Sequence, residues 1–334
     1  MVNITEPHAT NIREQMLDLL RASPNSYISG QEISKHLGVS RTAIWKNVNA
    51  LRSQGYVIES HPRLGHKLKD IPDLLLPLEV RARLKSKVFG RNVYHFASTG
   101  STQEHAFELA RKGASEGALV VAEEQTGGRG RRGRSYYSPR GGIWFSIVLR
   151  PPLPPRAAPV INLAAGVALA DVMRELGLSS ALLRWPNDVL AGGKKLSGIL
   201  AEMSAEPDEL HFVILGMGIN ANIEMDSFPE DLRSVATSLW TELGRRVDRV
   251  EVLCRVLEKL EKYYSRLLEE GSSSILAAWK SFPNMLGKPV RVSATEGVFE
   301  GVAMGLDEEG ALLVKDNAGK ERRLFAGDVS ARGI

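Results

Sequence analysis

Thr126 to Arg134 reads TGGRGRRGR, with glycine and arginine at every place after the threonine. Glycine brings backbone freedom, and arginine brings a permanent charge with five forked donors. Backbone N–H groups in a glycine-rich turn make an anion-binding concavity, and arginine forks hold phosphate oxygens bidentately. The stretch therefore fits a phosphate loop; taken alone, it fits a flexible nucleic-acid arm equally well. No Gly-Lys-Ser/Thr follows it, so it is not a Walker loop, and it does not open a helix as a dinucleotide fingerprint does. Other stretches carry groups that chemistry on a phosphate ester needs. Ser101-Thr102-Gln103 offers two hydroxyls and an amide at the start of an apparent helix, to cap it or to bind a polar ligand. Gln125 ends the strand before the arginine loop. Arg184-Trp185-Pro186-Asn187-Asp188 follows an apolar strand. Proline stops that strand and puts Asn187 and Asp188 at its end, where ligands of α/β folds sit, though an Asn-Asp turn is the plainer alternative. Lys195 comes seven residues later in GGKKLSGILAEM. It is a solvated turn lysine unless its strand pairs beside Asp188, which would bring a cation to that end. GMGINAN ends another strand at Gly218-Ile219-Asn220, its glycines permitting close approach of a ligand.

The elements that must position these groups fall into three blocks, residues 1–70, 78–283 and 286–334. In the middle block ALVVAEE, GIWFSIVLR, ALLRW and LHFVILGMGI read as strands. STQEHAFELARKG, VINLAAGVALADVMRELG and the stretch around Cys254 read as helices. That mixture predicts an α/β or α+β domain of catalytic size. The last block, with KPVRVSAT, GVFEGVAMGLD, GALLVKDNAG and KERRLFAGDVS, predicts a small β-barrel or sandwich.

In the first block Asn11 to Leu20 reads as a helix with Ile12, Met16, Leu19 and Leu20 on one face. In QEISKHLGVSRTAIWKNVNALRSQG, Gly38 breaks one helix and Ser40 caps the next, whose Ile44, Val48 and Leu51 form an inner stripe. Two short helices joined by a glycine turn make a helix-turn-helix, and Tyr56–Leu68 reads as a β-hairpin wing. Arg41, Thr42, Trp45, Lys46 and Asn49 then face outward and suit phosphates and base edges. One such unit reads only a half-site, so a repressor built on it would be a dimer; a winged helix kept only for dimerisation is the alternative.

At 334 residues the chain has room for two or three cores, and 43% apolar with 25% charged residues is ordinary globular composition. The net charge of +4 is too mild to demand nucleic acid, although three of the four surplus charges lie in residues 1–70. Cys254 is the only cysteine, which excludes an internal disulfide and a cysteine-rich metal cluster. It reads as a buried small hydrophobe. No charged-then-apolar secretory signal opens the sequence, and Val160 to Met173 is short for a membrane span and contains Asp171. A cytoplasmic protein without membrane attachment is expected.

GRGRRGR, an aromatic with Ser138-Pro139, RWPND, KKLSGIL and GMGIN, in this order, resemble the biotin–protein ligases. With the N-terminal helix-turn-helix the chain resembles the bifunctional class, biotin ligase and biotin-operon repressor in one. The resemblance spans essentially the whole chain, and GRGRRGR, WPND and K-L-x-G-I are highly specific as a set. It implies an α+β multidomain protein: a winged helix-turn-helix, an α/β ligase domain like class II tRNA synthetases, and an SH3-like C-terminal barrel. By the same resemblance Ser101, Thr102 and Gln103 hold biotin's ureido ring, and Gln125 with Arg129-Gly130-Arg131 continues that pocket. Lys195 meets biotin's carboxylate and the activated phosphate. Asn187 and Asn220 lie near the adenine, with Tyr136 as the aromatic over the adenylate. Asp188 is the candidate catalytic carboxylate, and Arg129 and Arg131 supply charge with Lys195. ATP is the co-substrate with Mg²⁺, for which no ligand residues are assigned. The implied partners are the biotin carboxyl carrier subunit of acetyl-CoA carboxylase, operator DNA and a second copy of the chain. This sequence departs from many members in having Gln103 for Asn, Tyr136 for Trp, and a loose Gly192-Gly193 turn before Lys194-Lys195. A ligase with an idle winged helix, a lipoate or fatty-acyl ligase, and a pure transcription factor stand as alternatives.

Overall fold

The computed structural model describes Asn3–Ile4, residues 12–294 and residues 297–331. Asn11 and Thr295, which open and close two of the expected elements, lie outside them. The described residues divide at Leu74 and Leu75 into two compact units.

The smaller unit has helices Ile12–Ala22, Gly30–Leu37 and Arg41–Ser53 and a hairpin of Val57–His61 with Gly65–Asp70. The Ser29 and Ser40 hydroxyls accept from the N–H groups of Glu32 and Ala43, capping the second and third helices. Gly38 takes the left-handed conformation, φ +66°, that ends the second. The core is Met16, Leu17, Leu20, Ile33, Ile44, Val48 and Leu51. Leu17 replaces Leu19 on the inward face of the first helix, since positions 16, 17 and 20 share one side at 3.6 residues per turn. Gly65, φ +104°, cannot carry a side chain: a Cβ would stand 1.9 Å from the Ile28 carbonyl, where the hairpin bonds across to Ile28.

The larger unit is built on an eight-stranded sheet. Its order is Asn3–Ile4, Val93–Phe96, Leu119–Ala122, Ile143–Leu149, Leu210–Ile219, Lys194–Ala205, Asp188–Ala191, Leu182–Arg184. Among the described strands of this sheet, only Val93–Phe96 and Leu119–Ala122 pair parallel. Alternation sorts the side chains: Val120 and Val148 join Ala106 and Ala110 of helix Thr102–Arg111 on one face. Leu119, Val121, Ile147 and Leu149 join helices Ala158–Glu175 and Arg249–Glu270 on the other. The segment Pro155–Glu175 is apolar and long enough to cross a membrane, yet 72% of its apolar window is buried in this core. Cys254 is buried as expected, and burial pushes its thiol up to about 12.

Five antiparallel strands form a second, C-terminal sheet within the same unit, in the order Glu321–Leu324, Leu312–Asp316, Gly297–Leu306, Pro289–Ala294, Asp328–Ala331. It is fastened to the large sheet's core where the Trp185 indole N–H donates to the Gly310 carbonyl at 2.9 Å. The strand Lys194–Ala205, the longest among the described residues, is foreseen only as a conditional pairing around Lys195, and helix Pro77–Arg83 carries no expectation from the sequence.

Candidate functional site

A cavity of about 760 Å³ opens over the large sheet, with the arginine loop on one side and the C-terminal sheet on another. Its floor is made by glycines. Gly198 pairs with Gly218 and Leu200 with Gly216 across neighbouring strands. A Cβ on Gly216 would lie 2.4 Å from Gln103 Oε1, and one on Gly218 would lie 2.7 Å from the Tyr136 ring. The missing side chains leave a trough in which Tyr136 lies, its hydroxyl donating to the Gly218 carbonyl at 3.1 Å. Burial and the Asp188 charge push that phenol above its ordinary value, so it stays a neutral donor.

At one end of the trough the polar side chains are joined in a network. Ser101 caps helix Thr102–Arg111 by accepting from the Gln103 N–H at 3.2 Å. The Thr102 N–H and hydroxyl both donate to Gln125 Oε1, at 2.8 and 3.0 Å, and Gln125 Nε2 donates to Ser138 Oγ at 3.1 Å. Gln103 Nε2 donates to the Ile214 and Leu200 carbonyls, and Ser146 Oγ donates to Gln103 Oε1. These amides are therefore oriented before any ligand arrives. Capping and cavity lining are done by the same residues, since Ser101, Thr102, Gln103 and Gln125 all line the wall.

At the other end the register sets the charges. RWPND forms a hairpin turn containing a cis Trp185–Pro186 bond, with Arg184 opposite Asp188. Asp188 opens the return strand rather than ending the first; on the next strand Gly198 lies across from it and Lys195 lies across from Leu190, from where the Lys195 side chain reaches the Asp188 carboxylate. Lys195 Nζ lies 2.7 Å and Arg184 Nη2 2.5 Å from the Asp188 carboxylate. Burial pushes that carboxyl up, but the two cations outweigh it and hold it below the ordinary value. Two cations on one carboxylate leave net positive charge facing the trough. Lys195 Nζ also stands 5.3 Å from the centre of the Tyr136 ring.

The loop leaves the sheet by backbone bonds from Thr126 to the Thr99 carbonyl and from Gly127 to the Gly100 carbonyl, both 2.8 Å. Gly128 must lack a side chain, because a Cβ would be 2.4 Å from the Tyr136 carbonyl. The tip is a tight turn at Arg131–Gly133 with Arg132 at φ +57°. Arg131 reaches the Gly327 carbonyl at 3.1 Å and the Asn187 amide oxygen at 3.5 Å. Arg129, Gly130 and Arg134 also line the cavity, with Arg129 paired to Glu104 and Arg134 to Asp328, while Arg132 lies outside the lining and pairs with Asp328. Asn187 lines the cavity and donates to the Ile199 carbonyl at 2.7 Å. Asn220 is held back from it, 4% exposed, with its amide donating to the Thr237 and Lys195 carbonyls. Reading the sequence missed Arg184, Ser138, Ser146 and the contribution of Gly327 and Asp328. Arg184 and Ser138 stand in quoted stretches without an assigned role there; Ser146 carries no pattern of its own.

Three family models match the chain: an HTH domain over residues 12–67, the biotin/lipoate A/B protein ligase family over 95–220, and the biotin protein ligase C-terminal domain over 285–332. The bifunctional ligase/repressor BirA of Bacillus subtilis is 39% identical over 96% of this chain and 98% of its own length. The chain belongs to the bifunctional biotin ligase/repressor family. Its counterpart in Escherichia coli K12 is 29% identical over 91% of this chain and 92% of its own. Among solved structures, the biotin protein ligase of Aquifex aeolicus in complex with biotin and ATP is 31% identical, with a TM-score of 0.61. It covers 72% of this chain and 98% of its own.

The smaller unit presents Arg41, Thr42, Trp45 and Lys46 on the exposed side of its third helix, with Asn49 half-buried beside them. Trp45 is 61% exposed, an unusual place for an indole without a partner surface. Arg52 instead folds back onto the Ile58 carbonyl and Ser60, bracing the wing. For the ligase's expected Mg²⁺ the donor set does not fit a protein cage. Among the described residues no group of three or more His, Cys, Asp or Glu could hold a metal, and Asp188 is committed to two cations.

Proposed function

We propose that the cavity converts biotin and ATP to biotinyl-5′-adenylate and passes the biotinyl group to a lysine of a biotin carboxyl carrier protein. The observation that carries this reading is Lys195, held by Asp188 at the junction of the oriented amide network, the glycine trough and the arginine loop. Biotin's ureido ring sits at the Ser101, Thr102, Gln103 and Gln125 end, and its carboxylate reaches Lys195. The adenylate lies along Tyr136 and Asn187, with Arg131 above it; Asn220 acts one layer behind, by fixing the backbone of Lys195. A carboxylate oxygen attacks the α-phosphorus, the bond to the bridging oxygen breaks, and pyrophosphate leaves. Two anions must meet, so the fixed cations Lys195, Arg184 and Arg131 are the groups that lower the barrier. A neutral lysine amine of the carrier then attacks the acyl carbon; AMP departs, and the amine's proton is lost to water. Between the two steps the adenylate has to be kept from water, which the loop does by closing.

The winged helix binds operator DNA as one half of a homodimer when adenylate accumulates, and the protein works in the cytoplasm. The blocks 1–70, 78–283 and 286–334 correspond to these duties. The full chain with biotin, ATP and apo-carrier should add one biotinyl group to one carrier lysine by mass spectrometry. With biotin and ATP it should retard DNA from upstream of biotin-synthesis genes, and Arg41→Ala with Lys46→Ala should abolish the retardation while labelling continues. Labelling with lipoate instead of biotin, or none at all, overturns the reading.

A further inference from the structure

Residues 123–142 leave the large sheet between strands Leu119–Ala122 and Ile143–Leu149, which pair directly, Ala122 opposite Trp144. The two feet of this excursion, Glu123 and Gly142, are therefore neighbours. Both are gripped by one guanidinium: Arg249, at the start of helix Arg249–Glu270, donates through Nη2 to Glu123 Oε2 at 2.9 Å and through Nη1 to the Gly142 carbonyl at 2.8 Å. Arg249 is 3% exposed and Glu123 1%. The second carboxylate oxygen of Glu123 accepts from the Leu75 N–H at 2.7 Å and faces His95 Nε2 at 3.1 Å. Burial pushes this carboxyl up, but the His95 bond and the Arg249 charge prevail and keep it below its ordinary value.

A buried ion pair is a poor way to gain stability, because desolvation offsets most of the attraction and apolar residues would pack the site as well. What a planar fork does that an apolar side chain cannot is fix the separation and direction of two acceptors. Gly142 admits no side chain, since a Cβ would stand 1.9 Å from the Trp144 ring, so that foot can be held only by its backbone. The rest of the loop, by contrast, is tied to Glu104 and Asp328 by exposed pairs, which are weak, and at its tip by the Arg131 bond to the Gly327 carbonyl. Fixed feet with a releasable tip are what a reproducible closure needs.

We propose that Arg249 is a positioning residue of the ligase reaction: it staples the two feet of the arginine loop and so determines where the loop lands over the adenylate. This rests on the ligase reading above. The readout is adenylate retention, measured as biotinyl-adenylate released or hydrolysed per turnover without carrier. Arg249→Lys keeps the charge but not the fork, and Glu123→Gln keeps the shape but not the charge. Each should raise the leak about tenfold, with the kcat of biotin-dependent ATP–pyrophosphate exchange kept within about threefold. In wild type without ligands, amides of segments 119–125 and 141–147 should exchange hydrogen far more slowly than those of the tip, and this needs no variant to fold. A folded Arg249→Lys variant with unchanged leak, or feet that exchange as fast as the tip, overturns the staple while leaving the ligase intact. Absence of exchange in wild type would overturn the ligase reading itself.

Discussion

Gly216 does its work by what it lacks. It lies on the cavity floor opposite Gln103, whose amide is tied to two sheet carbonyls and cannot swing away freely. Gly216→Ala should therefore push into the oriented amide network rather than into open space. The expected outcome is a KM for biotin raised about tenfold with kcat changed much less, because uniform binding is lost and not transition-state charge. Steady-state exchange kinetics at varied biotin check it, and an unchanged KM would remove Gln103 from the biotin end. At this scale the sequence was informative where chemistry clusters in short motifs. Asp188 and Lys195 stand out by type and spacing, and their proximity follows once the strands pair. Arg249 does not stand out. An arginine one residue past an Asp cap reads as an ordinary helix start, and nothing local says that it turns inward to Glu123 and Gly142.

Among the elements, the arginine loop and the helix-turn-helix were legible, and the strand Lys194–Ala205 was not. The loop announces itself through glycines needed at close approaches, such as Gly128 against Tyr136. The helix-turn-helix announces itself through caps and a 3.6-residue apolar stripe. In KKLSGILAEMSA the small and polar residues interrupt any alternation, because one half of the strand serves the trough and the other half is largely exposed. Tertiary pairing, with Leu210–Ile219 on one side and Asp188–Ala191 on the other, decides its conformation. The loop's own construction, a fixed base and a tip held by exposed ion pairs, carries a further expectation. Trypsin should cut among Arg131, Arg132 and Arg134 in the ligand-free protein, and biotin with ATP should suppress that cut, followed by the mass of the fragments. Equal cleavage with and without ligands would rule out closure over the adenylate.

Taken whole, the molecule separates its duties. One compact unit carries the helix with Arg41, Trp45 and Lys46, and the other carries the cavity. The three blocks visible in the sequence resolve into these two units, because the C-terminal sheet packs with the ligase core and supplies Gly327 and Asp328 to the loop. Short, evenly spaced strands announced that sheet, but its share in the cavity wall depends on contacts nearly two hundred residues apart in sequence. The proposed adenylation step depends most on one cation at one place: Lys195, set by Asp188 where biotin's carboxylate would meet the α-phosphate. Biotin-dependent exchange of labelled pyrophosphate into ATP, compared between wild type and Lys195→Ala, measures that step alone. Robust exchange in wild type and a loss of at least about a hundredfold in the variant is the expected result. Equal rates in the two proteins would contradict it.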